Sequence, residues 1–168
     1  MQWNQGIAEK RISELGMDDL PLVQMRPSQH AIAPDWFKQY HELVHQFAMS
    51  LTDSVSELAF MNLPSDDFMD LVMGRRMPEN LSIRLRVPLT WGGKLEIDNM
   101  FLCMTFPHAH NMDRFIIEQS GNDLIWMPNP AKKVYLPSHM MNGGDGGNAT
   151  TDRLSQMAAQ IASARGME

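Results

Sequence analysis

The spacing of hydrophobic residues over the first 75 positions predicts helices. Residues 4–16 carry apolar side chains at helical intervals and end at a glycine, which predicts a short first helix. A loop with three prolines follows over residues 17–34. From Asp35, a residue suited to cap a helix, to about residue 61, apolar residues recur at steps of three and four, which predicts one long helix. Its apolar stripe begins with Trp36 and Tyr40 and ends with Leu58. A shorter helix is predicted over residues 66–73.

The pattern changes to alternation near residue 80. In LSIRLRVPL (residues 81–89) apolar residues alternate with Ser82, Arg84 and Arg86, which is typical of a strand with one buried face. Four further strands are predicted from KLEI leading into NMFLCMTF, and from RFIIEQ, LIWM and KKVYL. NMFLCMTF is apolar on both faces and is therefore expected at the centre of the sheet. Because every connection is short, the pattern favours an antiparallel meander of about five strands.

The last part of the chain predicts a connection and a final helix. Residues 138–149 are rich in glycine. The segment 150–166 has an apolar helical face formed by Leu154, Met157, Ala158 and Ile161. The order of elements predicts one α+β domain over residues 1–168, with N-terminal helices in 1–75, an antiparallel sheet in 80–137 and a C-terminal helix.

Composition narrows the classes of function. With 14 basic and 20 acidic residues the chain has a formal net charge of −6, which disfavours binding to nucleic acid or to anionic lipid. Its one cysteine, Cys103, excludes an intrachain disulfide. The sequence contains no apolar signal segment at its start and no apolar run long enough to cross a bilayer. We therefore expect a cytoplasmic protein without membrane insertion.

Methionine is unusually frequent, with 16 residues in a chain of 168. Its flexible, polarisable side chain fills irregular gaps in protein cores, and it is also common on surfaces that adapt to a partner. The surplus favours a surface that binds another protein.

The segment YHELVHQF (residues 40–47) contains the spacing H-E-x-x-H. On a helix, His41 and His45 lie one turn apart on one side, so both imidazoles can reach one zinc ion. Glu42 would then act as the general base on a zinc-bound water. Over these residues the chain resembles zincin-type metallopeptidases, and the resemblance implies a zinc-dependent hydrolase.

The remainder of a zinc site is not present in a spacing typical of that family. Residues 46–51 contain neither glycine nor histidine, so a third ligand would have to come from a distant position such as Glu57, His108, His110 or His139. His41 and His45 also fall beside the apolar stripe of the predicted helix, where a pair of solvent-exposed histidines is expected. The zinc hydrolase is therefore the alternative interpretation.

A second group of residues suits a soft metal ion. The segment MTFPHAHNM (residues 104–112) brings His108 and His110 close to Met104 and Met112 in sequence. Sulfur and imidazole together favour copper(I). A turn with exposed histidines after a central strand is the other expectation for this segment.

The pattern as a whole favours a non-enzymatic protein-binding module, such as an adaptor, an assembly or secretion chaperone, or an inhibitor. No complete catalytic set is evident, and no cofactor is expected outside the zinc alternative. Binding is expected through an open sheet edge or a methionine-rich apolar surface, with Arg84, Arg86, Met100 and Met104 as contact residues. The partner is another protein, in a homo-oligomer or a hetero-complex.

Overall fold

The computed structural model describes residues 2–61, 63–139 and 147–166. Within them the chain is α+β, with six α-helices and four strands, and the strands form two separate two-stranded antiparallel sheets. The elements are α1 Gln5–Glu14, β1 Leu22–Met25, α2 Trp36–Met49, α3 Val55–Phe60, α4 Ser65–Val72, β2 Leu81–Leu85, β3 Met100–Met104, α5 His110–Ile117, β4 Ile125–Pro128 and α6 Gly147–Gly166.

The α+β class and the helices at both ends are confirmed, whereas the five-stranded meander is wrong. β2 pairs with β3, the next strand in the chain, whereas β1 pairs with the distant β4, so the strands form two sheets instead of one. β1 lies in the segment that was predicted to be a loop. Four residues between two prolines carry too little periodicity to reveal a strand whose partner lies about a hundred residues away.

Two of the predicted strands, and the beginning of a third, differ in the structure. RFIIEQ belongs largely to α5, because Met112 and Phe115 are spaced to bury one helical face. KLEI leads into a short 3₁₀-helix, Ile97–Asn99, instead of a strand. KKVYL contributes only an isolated parallel bridge between Val134 and Leu102. Short apolar runs of this kind suit a helix or a strand equally, and tertiary packing decides between them.

The long helix predicted from Asp35 is broken. α2 ends at Met49, a 3₁₀ turn covers Ser50–Asp53, and α3 begins at Val55. The hydroxyl of Ser50 donates to the carbonyl of Phe47 at 2.6 Å. Serine, threonine and aspartate compete with helical hydrogen bonds in this way, which explains a break within an unbroken apolar stripe.

β3 lies between two hydrophobic cores, as its two apolar faces predict. Met100 and Leu102 belong to the first core, with residues of α2, α3, α4 and α6. Phe101 and Cys103 belong to the second core, with residues of α1 and α5. Hydrogen bonds reach β3 from both sides, because Leu102 also exchanges backbone bonds with residues 133 and 135.

The apolar face of the C-terminal helix is confirmed. Leu154, Ala158 and Ile161 of α6 are buried and Met157 is half-buried, against α3 and the turn before it. The predicted glycine-rich connection lies largely at residues 140–146, outside the described residues. Among the helices that are described, none is both long and apolar enough to cross a bilayer.

Candidate functional site

The helix that carries the H-E-x-x-H spacing is buried only near its end. Phe47 and Ala48 are its buried residues, whereas His41, Glu42 and His45 are exposed. The imidazole of His41 lies edge-on against the ring of Phe37, with 4.3 Å between centroids. The two histidines therefore lie on the solvent side of α2, beside the stripe that packs on the core.

His45 has a partner just after the end of α4. Its Nδ1 lies 3.2 Å from the carbonyl oxygen of Gly74, so the ring donates a hydrogen bond when the proton is on Nδ1. Gly74 has a φ of +71°, and a Cβ there would collide with the imidazole of His45. A contact between a histidine and a backbone carbonyl also orients zinc-bound histidines, so this bond alone does not distinguish a ligand from a structural residue.

The described residues around His41 and His45 do not complete a metal site. Within residues 2–61, 63–139 and 147–166, no group of three or more histidine, cysteine, aspartate or glutamate side chains is placed to hold a metal ion. A catalytic zinc needs three protein ligands and one open position. Glu42 therefore has no described metal centre on which to act as a base.

The segment suggested for copper is divided between the interior and the surface. His108 is 3% exposed, and its Nδ1 has no hydrogen-bond partner among the described residues. His110 is exposed, next to the ring of Phe106. Cys103 is buried, and burial raises the pKa of its thiol to about 12, while Arg84 acts in the opposite direction. This thiol is therefore protonated at neutral pH.

Arg86 holds together three segments of the chain. Its guanidinium donates to the carbonyl of Asp98 at 3.1 Å, to that of Lys132 at 3.0 Å and also to that of Pro130. The guanidinium carbon lies 5.3 Å from the centre of the Phe101 ring. Burial lowers the pKa of Arg86, and Asp98 opposes that shift. Arg86 was predicted to meet a partner, yet its hydrogen bonds are made inside the chain.

The other predicted contact residues differ in position. Arg84 forms an ion pair of 2.9 Å with the exposed Asp113. Met100 is fully buried, so it is not available at the surface, and Met104 is half-buried. Of the large hydrophobic side chains that are exposed in the described part of the chain, Met73 is the one methionine. The methionine surplus therefore does not form an exposed apolar surface there.

Aromatic side chains form such a surface instead. The aromatic surface consists of Ile32, Trp36, Phe37 and Tyr40, at the start of α2 and in the loop before it. Ile32, Trp36 and Phe37 are 38%, 36% and 59% exposed. The ring centroid of Trp36 lies 5.5 Å from that of Phe37 and 6.2 Å from that of Tyr40, so Trp36 packs against both neighbouring rings. Partial burial raises the pKa of the Tyr40 hydroxyl.

A cavity of about 310 Å³ adjoins the aromatic surface. Its walls come from residues 31–33 and from Trp36 on one side and from residues 89 and 93–96 on the other. The two sides are joined by a hydrogen bond of 2.8 Å from the amide of His30 to the carbonyl of Thr90. Gly93 makes the second wall possible, because a Cβ there would collide with the carbonyl of Val87. Leu89 and Leu95 are half-buried in its lining, and Gln39, Lys94 and Glu96 are exposed there.

Sequence reasoning placed Trp36 and Tyr40 on the buried stripe of α2 and so did not identify this surface. The stripe is continuous in sequence, and Tyr40, Leu43 and Phe47 pack on the core, but Trp36 at its start is not part of that core. Phe37 carried the available signal, since it lies about 100° around the helix from Trp36 and burial of both needs a wide apolar face.

Comparison of the chain with protein-family models, with curated proteins and with solved structures gives no match.

Proposed function

We propose that this chain is a non-enzymatic protein-binding module and that the aromatic surface is the centre of its contact with another protein. The observation that carries the proposal is the exposure of Trp36 and Phe37, 36% and 59%, at adjacent positions beside Ile32. Tryptophan and tyrosine are the side chains that most often dominate binding energy at protein interfaces, and contiguous exposed apolar groups mark interaction sites.

The cavity supports the same proposal. A cavity of about 310 Å³ whose lining includes Ile32, Trp36 and Leu95 can receive one anchoring side chain of a partner. Gln39, Lys94 and Glu96 at its rim supply hydrogen bonds and charge around that anchor, which is the usual arrangement of an interface. The occupant we propose is a segment of a second protein that presents an aliphatic or aromatic side chain.

The experiment is site-specific photo-crosslinking in cells that express the chain. A photoreactive phenylalanine derivative is placed at position 37, and at position 117 in a matched control, because Ile117 is also exposed, at 67%, and belongs to a different helix. We expect a discrete crosslinked partner from position 37. That product should be weaker when Trp36→Ala is added, and position 117 should not yield it.

The partner identified by mass spectrometry is then purified and its affinity measured by calorimetry. Loss of a central aromatic anchor typically costs about 2 kcal/mol or more, so Trp36→Ala should raise Kd by roughly thirtyfold. Equal crosslinking from positions 37 and 117, or a Kd unchanged by Trp36→Ala, would overturn the proposal. A crosslink between two copies of the chain would identify the partner as the protein itself.

A further inference from the structure

A second groove lies between α1, residues 18–22 and Trp126 of β4. Its volume is about 510 Å³, and it shares no residue with the aromatic surface. Ile12 and Leu20 form part of its floor at 2% and 4% exposure, and Leu22 and Trp126 are half-buried in its walls. The groove therefore offers a hydrophobic floor together with the indole of a tryptophan.

Three carboxylates line this groove: Glu9, Asp18 and Asp19. Asp19 is held in place because its oxygens accept hydrogen bonds from the hydroxyl of Tyr135, at 3.3 Å, and from the amide of Ser138, at 2.7 Å. Glu9 accepts a hydrogen bond from the neutral side chain of Gln5. The groove is therefore negative, and its acceptors are partly ordered before any ligand arrives.

These carboxylates lack cationic partners within the described part of the chain. Eight ion pairs are formed there, and none of them includes Glu9, Asp18 or Asp19. The three groups are also not gathered in the way that a metal ion requires. The three carboxylates are separated from one another along an apolar floor. Such an arrangement complements an extended ligand with separated cationic groups more closely than it complements a single ion.

The shape of the region suits an extended chain. A second cavity of about 210 Å³ shares Asp19 and Pro21 with the groove, so the two adjoin. β1 begins at Leu22 in the groove wall and pairs with β4 along one edge, and no described strand pairs with its other edge. An open strand edge offers backbone hydrogen bonds to an added peptide.

We propose that this groove binds an extended segment of a partner protein that carries lysine or arginine residues between apolar ones. Asp18 and Glu9 pair with its cationic side chains, the floor receives its apolar side chains, and the indole of Trp126 offers a face for a cation–π contact. Because this site and the aromatic surface have no residue in common, the inference goes beyond the function proposed above.

The test measures fluorescence anisotropy with a labelled peptide of alternating lysine and valine. The same peptide with glutamate in place of lysine is the charge control, and unlabelled spermine is the competitor that carries charge without a peptide backbone. We expect the lysine peptide to bind at low ionic strength and to bind more weakly as salt is added. The glutamate peptide should not bind, and spermine should not displace the lysine peptide.

Two variants localise the binding. Glu9→Gln/Asp18→Asn should weaken binding roughly threefold to tenfold, since two exposed charge pairs are removed. Asp66→Asn/Glu79→Gln removes the same net charge from exposed positions outside the groove and should leave the affinity unchanged. Circular dichroism and thermal unfolding verify that both variants are folded. Phe37→Ser should also bind normally, which separates this inference from the function proposed for the aromatic surface.

Each remaining outcome would overturn the inference. An equal loss of affinity in the two double variants would mean attraction to net charge alone. Displacement by spermine at matched charge concentration would mean adventitious polycation binding. Absence of binding to the lysine peptide in the wild-type chain would exclude the groove as a site for basic peptides.

Discussion

At the scale of single residues, burial decides the chemistry of the titratable groups. His108 is 3% exposed and lies edge-on against the ring of Tyr135, with 5.5 Å between centroids. Burial lowers its pKa below the ordinary value of 6.5, the nearby His139 lowers it further, and Asp19 acts in the opposite direction. Burial likewise raises the pKa of Tyr135, and Asp19 adds to that shift. Both rings are therefore neutral in the native protein near neutral pH.

The shift of His108 predicts a dependence of stability on pH. Because its pKa is lower in the folded than in the unfolded chain, the unfolded chain binds the proton first as the pH falls. The contribution of neutral His108 to the free energy of unfolding is therefore complete above pH 6.5. It falls as the pH decreases from 6.5 toward the lowered pKa of the folded chain, and below that pKa it no longer changes. Urea unfolding at a series of pH values measures this.

The variant His108→Phe keeps an aromatic ring at this position and removes the proton site. It should lose the component of the pH dependence below 6.5 that the wild type shows. His110→Phe, two residues away at an exposed position, should retain it. If the free energy of unfolding falls equally with pH in the wild type and in His108→Phe, the neutral burial of His108 does not contribute to stability.

At the scale of elements, hydrogen bonds from side chains connect segments that have few backbone hydrogen bonds between them. Residues 130–133 follow β4 without forming a strand, and Arg86, just after β2, binds two of their carbonyls, those of Pro130 and Lys132. The same guanidinium also binds the carbonyl of Asp98, before β3. Asn80 does the same at the other end of β2, where its side-chain amide bonds both to the amide and to the carbonyl of Phe106. These side-chain hydrogen bonds connect segments that the predicted five-stranded sheet would have joined through backbone hydrogen bonds.

Replacement of Arg86 by lysine should therefore destabilise the fold. A lysine has one ammonium group and cannot reach three carbonyls in the planar arrangement of a guanidinium, and hydrogen bonds from charged groups contribute about 1.5–3 kcal/mol each. We expect Arg86→Lys to lower the free energy of unfolding by about 2 kcal/mol, measured by urea titration.

Arg84→Lys is the matched control on the same strand. Arg84 pairs with Asp113, which is 59% exposed, and such surface pairs contribute less than about 1 kcal/mol. A loss that is equal for the two variants would show that the three carbonyl bonds of Arg86 are not a structural tie. If Arg86 bound a partner instead, Arg86→Lys would lower the affinity for that partner without changing the free energy of unfolding.

At the scale of the whole molecule, one of the two sheets brings distant parts of the chain together. β1 near the start pairs with β4, and β3 separates the two cores. Neither core includes Trp36 or Phe37 of α2, so these two side chains remain exposed, as do the two histidines of the H-E-x-x-H spacing.

The metal content of the whole chain tests the zinc alternative. Since His41 and His45 are exposed and no described group of three ligands includes them, we expect much less than one zinc per chain in protein purified without a histidine tag. Elemental analysis beside a His41→Ala/His45→Ala variant measures this. About one zinc per chain in the wild type, absent from the variant, would establish a metal site and return attention to Glu42.

Local periodicity predicted the elements whose side chains pack on a single face. The pattern identified α1, α4, β2, β4 and the apolar face of α6, because each has an amphipathic or apolar run with a clear boundary. It also predicted that β3 is covered on both faces, because a strand that is apolar on both faces must be buried on both, although β3 lies in a two-stranded sheet and not at the centre of a larger one. The location in the cytoplasm and the identity of the partner stay predictions.

The candidate site could be predicted only in part. The sequence drew attention to α2 through its histidines, whereas the exposed aromatic surface at the start of that helix depends on how far the core extends along it. The contact residues proposed on β2 and β3 were chosen from alternation alone. Alternation separates the two faces of a strand, but it does not say whether the polar face meets solvent or another segment, as Arg86 does.

The sequence by itself therefore determined the α+β class, the position of the main helices and the apolar faces that had to be buried, because these depend on contacts within a few residues. Only the tertiary structure decided that β1 pairs with β4, that RFIIEQ is helical, and that Trp36 and Phe37 remain exposed. Those outcomes depend on competition for a limited buried volume between segments that are far apart in the chain, and no local pattern records which segment fills it.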